Sequence, residues 1–377
     1  MNRRTYLGAV TATVSGLAGC SGSGTESGSA SGALGSADAR IETVVTDLEV
    51  PWGAAFRDDS LYLTERPGRL VRVQGVAGGE ENGNGSGERE LIADLTDETR
   101  PAGEGGLLGL VFHPDDRSVL YCYQTYRGSD GPRNRVLRGR LAEESGESDQ
   151  SLAGLEPIVE GIPASSIHNG GRLAIKDRAL YVTTGDASDG DLAQNRSSLA
   201  GKILRLTLGG EPHPENPFDD PVFSYGHRNP QGLAFEGAAL YNTEHGPDHD
   251  DEINLLESGG NYGWPIVMGR SERDRFVEPL AAYTPTVAPA SAAIYDGPIA
   301  EWQGDLFFGA LAGDFLGRAE LDERAVTGRG RLLKGEFGRL RTAFSGPDEH
   351  LYATTSNRDG RGSPTEPDDR VLRIRPE

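Results

Sequence analysis

Cysteine is nearly absent: the chain has two in 377 residues, Cys20 and Cys122. That excludes a disulfide framework, so stability must come from a buried core. Lysine is scarce too, with 3 Lys beside 34 Arg and 58 acidic residues for a net charge of -21. Such a balance excludes a nucleic-acid partner, because the phosphate backbone would be repelled. The acidity points instead to a protein adapted to high salt, where screening relieves self-repulsion. Helical periodicity is also sparse. The glycine-rich Gly103 to Gly109 is no dinucleotide fingerprint, since Leu108 stands at the third glycine position and no strand-helix-strand unit surrounds it.

The chain opens with Met1-Asn2-Arg3-Arg4-Thr5-Tyr6-Leu7, a mildly apolar run, then Leu17-Ala18-Gly19-Cys20. Residues 1–20 read as a twin-arginine signal ending in a lipoprotein cleavage box. A lipid on Cys20 would anchor an exported protein to the outer face of the cell membrane. Residues 21–38, rich in Gly, Ser and Ala, read as a flexible tether. No second low-complexity linker divides residues 39–377, which are expected to form one domain.

A short apolar phrase recurs through that domain: Leu61-Tyr62-Leu63, Leu120-Tyr121-Cys122, Leu180-Tyr181-Val182, Leu240-Tyr241-Asn242, Leu306-Phe307-Phe308 and Leu351-Tyr352-Ala353. The leading leucines lie 59, 60, 60, 66 and 45 residues apart. A second apolar run precedes each phrase, and an arginine-rich alternating run such as Arg69 to Val73 follows several of them. Six repeats of short strands predict an all-β fold, a six-bladed β-propeller of four-stranded antiparallel blades. The early strand around Ile41 to Val45 is expected to complete the last blade. Loops entering the innermost strands would then open together on one axial face.

Those entry loops hold Pro51-Trp52, Gly103-Glu104-Gly105-Gly106, His168-Asn169-Gly170-Gly171-Arg172, Gly226-His227-Arg228-Asn229, Val287 to Ser291, and Arg339-Leu340-Arg341. Guanidinium forks hold carboxylates in two-point contacts and stack on flat rings, so the mouth suits a planar polyanion. A histidine there suits general-base work near neutral pH. Asp186, after the third repeat's phrase, is a candidate to face the same mouth, whereas Asp189 and Asp191 read as solvated turn residues. The stretch Glu244-His245-Gly246-Pro247-Asp248-His249-Asp250-Asp251-Glu252 combines carboxylates with carbonyls, as a hard cation such as calcium requires. Its two histidines leave zinc open, and an acidic surface loop is the bland alternative.

Together, Gly103 to Gly109, Phe112-His113-Pro114-Asp115, His168 to Arg172, Gly226 to Gly232, Glu244 to Asn254 and Gly259 to Pro265 resemble the soluble quinoprotein glucose/aldose sugar dehydrogenases. These are six-bladed propellers that use pyrroloquinoline quinone (PQQ) and calcium. The resemblance implies PQQ- and calcium-dependent oxidation of aldose sugars at the anomeric carbon to lactones, with electrons passed to an external acceptor. It makes His168 the base and Arg228 the group that polarises the quinone. Glu104, Asn229, Arg339 and Arg341 join Arg228 in binding the cofactor. The carbonyls of Gly246 and Pro247 would ligate calcium, and Asp251, Glu252 and Tyr262 would form a further calcium region. Asp186 and Trp52 are candidate substrate contacts.

Three positions depart from the family pattern. Ile167 stands where glucose-specialised members have an aspartate before the base. Glu104 replaces a glutamine. Ala312 replaces a PQQ-binding lysine, for which Arg318 or another arginine is a candidate substitute. A calcium-dependent propeller lactonase and a non-catalytic sugar- or ligand-binding propeller are the competing readings. Substrate choice is expected in surface loops such as Arg127 to Asn134 and Gly269 to Tyr283.

Overall fold

The computed structural model describes residues 39–77, 89–142, 151–322 and 324–376. The expected signal, Cys20 and the tether lie outside the described residues. Six four-stranded antiparallel sheets follow one another along the chain, as expected of a six-bladed propeller. Among the described residues, helix is confined to one turn at Asp191–Gln194 and a 3-10 turn at Ala300–Trp302. No described helix is long and apolar enough to cross a membrane.

The recurring phrase is the second strand of every blade, and its chemistry explains the architecture. Its leading leucine is buried in all six copies. The neighbouring tyrosine points to the opposite face of the sheet. In three blades it meets an aromatic residue near the end of the next blade's innermost strand. Tyr62 meets Phe112 at 5.1 Å, Tyr181 meets Phe235 at 5.3 Å and Tyr352 meets Phe56 at 5.1 Å, all edge-on. Each such pair is worth about 1 kcal/mol beyond its buried area. The repeat in the sequence is therefore the contact between blades.

Around the axis the innermost strands are Pro51–Arg57, Leu107–Phe112, Leu173–Lys176, Pro230–Glu236, Pro289–Ile294 and Leu340–Ser345. They approach closely enough to bond directly. Gly109 N donates to Gly171 O at 3.0 Å, and a Cβ at Gly109 would lie 2.2 Å from that oxygen. Only glycine fits this crossing. The ring closes where Thr342 Oγ1 donates to Trp52 O at 2.6 Å, joining the sixth blade to the first.

Ala39–Val45 pairs with Val371–Pro376 and supplies the fourth strand of the last blade, as expected. Arg373 Nη2 and Arg375 Nε both donate to the Glu42 carboxylate, at 2.6 and 2.7 Å. One expectation fails: Arg127 to Asn134 is not a loose loop. Val119–Gly128 and Gly131–Leu141 pair through to Gly128 and Gly131, because Ser129 and Asp130 make a two-residue turn followed by Gly131 at a φ of 125°.

Candidate active site

His168 follows the second blade and precedes the innermost strand of the third, held with a φ of 60°. A non-glycine residue in this region costs of order 1 kcal/mol and is retained where its surroundings enforce it. Two acidic side chains do so. The backbone N–H of His168 donates to Glu104 Oε2 at 2.9 Å, and its ring Nδ1 lies 2.8 Å from Asp186 Oδ1. Asp186 is buried and fixed in turn, accepting from Ser188 N at 2.7 Å and from Trp264 Nε1 at 2.8 Å. With Nδ1–H donated to the carboxylate, Nε2 is the nitrogen left to accept a proton. The aspartate absent at Ile167 thus has a counterpart in Asp186, 18 residues beyond His168.

Asp186 N also donates to Arg228 O at 2.8 Å, so His168 and this arginine share one scaffold. Arg228 Nη1 donates to Gly246 O at 2.7 Å and His245 O at 3.2 Å, while its buried Nε has no partner. Burial pushes its pKa down, with Asp186 and Glu244 opposing. Asn229 is fully buried; its Nδ2 donates to Glu104 Oε2 at 3.3 Å, and its Oδ1 accepts from Gly170 N at 3.2 Å. Glu104 Oε1 accepts from Arg361 Nη1 at 3.0 Å. Burial acts to raise the Glu104 pKa, but the neighbouring His245, the His168 N–H and Arg361 hold it below the usual carboxylate value.

Across the mouth, Arg339 donates through Nε and Nη2 to Asp359 Oδ2, at 3.0 and 2.9 Å, and through Nη1 to Leu311 O at 2.9 Å. Arg341 is buried, donates to Ser356 Oγ at 3.2 Å and lies 3.8 Å from Asp359. Burial pushes it down to about 10, with Asp359 in opposition. Arg172 has no carboxylate within ion-pair distance among the described residues, and burial pushes it down to about 9. Its guanidinium lies 4.1 Å above the Trp52 ring, with Arg341 at 5.9 Å from the same ring. Trp52, only 2% exposed, is a stacking surface for these cations.

Two expectations about the mouth need correction. Arg318 cannot replace the missing lysine, because its Nε donates to Asp305 Oδ2 at 2.5 Å and its Nη2 to Glu301 O, in the third strand of its blade. His227 does not open into the mouth. It is fully buried, bonded to Glu244 at 2.8 Å and Ser224 at 2.9 Å, and stacked on Tyr262.

The expected calcium region divides. Asp251 has spent its carboxylate, accepting from Gly246 N, Thr286 Oγ1 and Ala288 N at 2.8 Å and from Val287 N at 2.6 Å. It ties the Gly246 loop to the next blade's entry loop. Glu252 faces Glu244 across neighbouring strands, and burial, followed by Glu244, pushes its carboxyl up to about 8. Together with Tyr262 these two line a small cavity beside Arg228. The Tyr262 hydroxyl is committed to Leu255 O at 2.6 Å. Gly246 O accepts from Arg228, whereas Pro247 is exposed. Among the described residues no three His, Cys, Asp or Glu side chains converge on a metal-sized point. Glu244 accepts from the Arg228 N–H and pairs with His227 Nδ1, and Glu252 accepts from Gly269 N at 2.9 Å and Asn254 Nδ2 at 3.0 Å; each oxygen has one such partner and keeps a lone pair for a hard cation that draws its other ligands from carbonyls.

The mouth fits a planar polyanion. Arg66 Nε, Arg172 Nη2, Arg228 Nε and His245 Nε2 are all buried without a hydrogen-bond partner. Sequence reasoning passed over Arg66, Asp359, Arg361 and Trp264. Each follows a strand end, where only the folded ring shows which loops meet.

The model of the glucose/sorbosone dehydrogenase family matches residues 48–364. The chain is 36% identical to a PQQ-bound aldose sugar dehydrogenase structure from Streptomyces coelicolor, with a TM-score of 0.79 over 90% of this chain and 98% of that one. A glucose dehydrogenase-type oxidoreductase structure from Thermus thermophilus is 40% identical, with a TM-score of 0.78 over 89% of this chain and 100% of that one. The aldose sugar dehydrogenase YliI of Escherichia coli is 30% identical over 86% of this chain and 92% of its own length. The chain belongs to the glucose/sorbosone dehydrogenase family.

Proposed function

We propose that this chain is a PQQ- and calcium-dependent dehydrogenase that oxidises aldoses at the anomeric carbon to lactones and passes the electrons to an external acceptor. The observation that carries the reading is the His168–Asp186 pair, a base oriented by a buried carboxylate, in a mouth where buried guanidinium groups lack an anion. PQQ, when bound, supplies the two-electron acceptor for the hydride leaving the sugar.

The protein's own groups do the rest. His168 Nε2 takes the proton of the anomeric hydroxyl, and Asp186 stabilises the imidazolium that forms. Arg228 Nε is the donor left free for a carbonyl oxygen that gains charge. Asn229 and Glu104 hold the His168 and Gly170 backbone in place. Arg341 receives a cofactor carboxylate, whereas Arg339 is engaged with Asp359. Glu252 and the carbonyls of Gly246 and Pro247 are the groups that would hold calcium. The leader supports export, with a lipid on Cys20 tethering the propeller outside the cell membrane.

The test is to add PQQ and calcium to the apo-protein in high salt, then aldoses with a redox dye. Dye reduction that disappears in His168→Ala while the quinone stays bound is the expected result. Metal binding without any quinone spectrum would overturn the proposal in favour of a lactonase. Membrane fractionation of the wild type against Cys20→Ala tests the anchor.

A further inference from the structure

We propose that Arg66 is a carboxylate anchor of the quinone site and takes over the work of the lysine missing at position 312, an inference that rests on the cofactor reading above.

Arg66 follows the second strand of the first blade, Ser60–Glu65, and its side chain runs between the loops of Glu104 and Asp359. A Cβ at Gly106 would lie 2.3 Å from Arg66 O and 2.4 Å from its Cγ. Glycine at position 106 is therefore what lets the arginine stem pass into the mouth. At its far end the group is underused. Nη2 makes only a long 3.4 Å contact with Asp359 O, and the buried Nε has no partner.

The charges around it do not balance. Arg66, Arg339, Arg341 and Arg361 share this side of the mouth with three carboxylates, Asp359, Glu104 and Asp369, the last already accepting from Thr355 Oγ1 and the Asn357 and Arg358 N–H groups. Asp359 is spent on Arg339, and Glu104 is spent on Arg361, the His168 N–H and Asn229. Four guanidiniums against three carboxylates leave a surplus of one positive charge. Burial lowers the pKa of Arg66, so an incoming anion relieves a cost already present.

The two cations that bond to the loop around position 312 are already engaged. Arg339 has turned toward that position, with Nη1 on the Leu311 carbonyl and Nε and Nη2 on Asp359, so each of its nitrogens is already bonded and one N–H is left on each Nη. Lys334 is exposed, with its ammonium on Gly313 O and 5.7 Å from the Phe315 ring centroid. That leaves Arg66 Nε and Nη2, a planar fork suited to a two-point contact with a carboxylate.

The test is equilibrium binding of PQQ to the calcium-loaded full chain, followed by calorimetry and quinone absorbance, with thermal unfolding run on every variant. Arg66→Gln and Arg66→Met should each weaken PQQ binding by roughly 10- to 100-fold, the value of a charge-assisted contact. Arg66→Met keeps the stem that packs on Gly106, so it reports the charge even if Arg66→Gln folds poorly. Lys334→Met should bind as the wild type does. Adding Ala312→Lys to either Arg66 variant should restore most of the lost affinity. Wild-type affinity in both Arg66 variants, or a loss confined to Lys334→Met, would overturn the inference. Failure of the wild type itself to bind PQQ would instead overturn the cofactor reading on which it stands.

Discussion

His168 Nδ1 and Asp186 Oδ1 stand 2.8 Å apart, joined across the third blade by the carboxylate and not by a sequence neighbour. Asp186 therefore fixes both the ring's orientation and the tautomer that leaves Nε2 basic. In Asp186→Asn the side chain keeps its shape but loses the charge that stabilises the imidazolium. The expected outcome is a fall in kcat of roughly 100-fold or more, with PQQ affinity unchanged. Steady-state kinetics with a dye acceptor, alongside a PQQ titration, would check this. A wild-type kcat would show that Asp186 has no part in orienting the base.

Trp264 Nε1 holds the other oxygen of Asp186 at 2.8 Å, and the Arg228 guanidinium lies 5.2 Å from the centre of its ring. Removing only the donor, in Trp264→Phe, keeps the ring surface for Arg228 but releases one side of the carboxylate. Outer partners of this kind are worth about 10-fold, so kcat should drop by that order with KM little changed. A rise in KM with kcat intact would place Trp264 in substrate binding instead.

The fold was legible because every repeat must solve the same packing problem. The Leu-Tyr phrase buries one residue on each face of a second strand, so the blade contacts show in the sequence as a period. The place of His168 and Arg228 at the mouth was legible for a related reason, since both sit at the same point of a repeat. Asp186 was legible as a residue of the mouth but not as the partner of His168, and Trp264, Asp359 and Arg66 also lie beyond strand ends, where the sequence reads as turns. Their role arises from loops that meet only after the ring closes, as Arg361 meets Glu104 from 257 residues away. Asp251 looked like a cation ligand for the opposite reason. Carboxylates that ligate metals and carboxylates that cap backbone N–H groups have the same composition, and only the four donors around Asp251 separate them.

Ring closure rests partly on Glu42, which accepts from Arg373 and Arg375 across the joint between the first and last strands. Burial acts to raise its pKa, but the two arginines bring it below the usual carboxylate value. Glu42→Gln keeps a hydrogen-bonding group and loses the charge, with an expected cost of about 1 kcal/mol. Thermal unfolding should register a Tm lower by roughly 1–3 °C, given the size of the domain. The same variant should be less sensitive to acid as the pH falls below 4.5, because the stability from Glu42 is present above the unfolded pKa and lost as the carboxylate protonates.

Net charge should make the whole chain dependent on salt. With -21 on the chain and few lysines, self-repulsion is relieved by screening, so the Tm should rise from dilute buffer to molar salt. A differential-scanning series in potassium chloride would measure it. Greatest stability in dilute buffer would contradict adaptation to high salt.

His245 gives the mouth its own response to acid. Burial pushes its pKa down from 6.5 to about 4, and its Nε2 is buried without a partner. Between these two values the unfolded chain carries a proton on this residue that the folded chain does not. The unfolded state binds more protons there, so stability falls as pH drops from 6.5 toward 4 and is regained as pH rises. At 1.36 kcal/mol per pKa unit, the contribution of this one group is on the order of 3 kcal/mol. His245→Gln, which cannot titrate, should show a flatter pH dependence of unfolding free energy in that window and the wild-type slope above it. Denaturant unfolding at intervals of half a pH unit would resolve the difference. Parallel curves for the two proteins throughout the window would show that His245 is already charged in the fold, held by Asp251 and Glu104, whose charges oppose its burial.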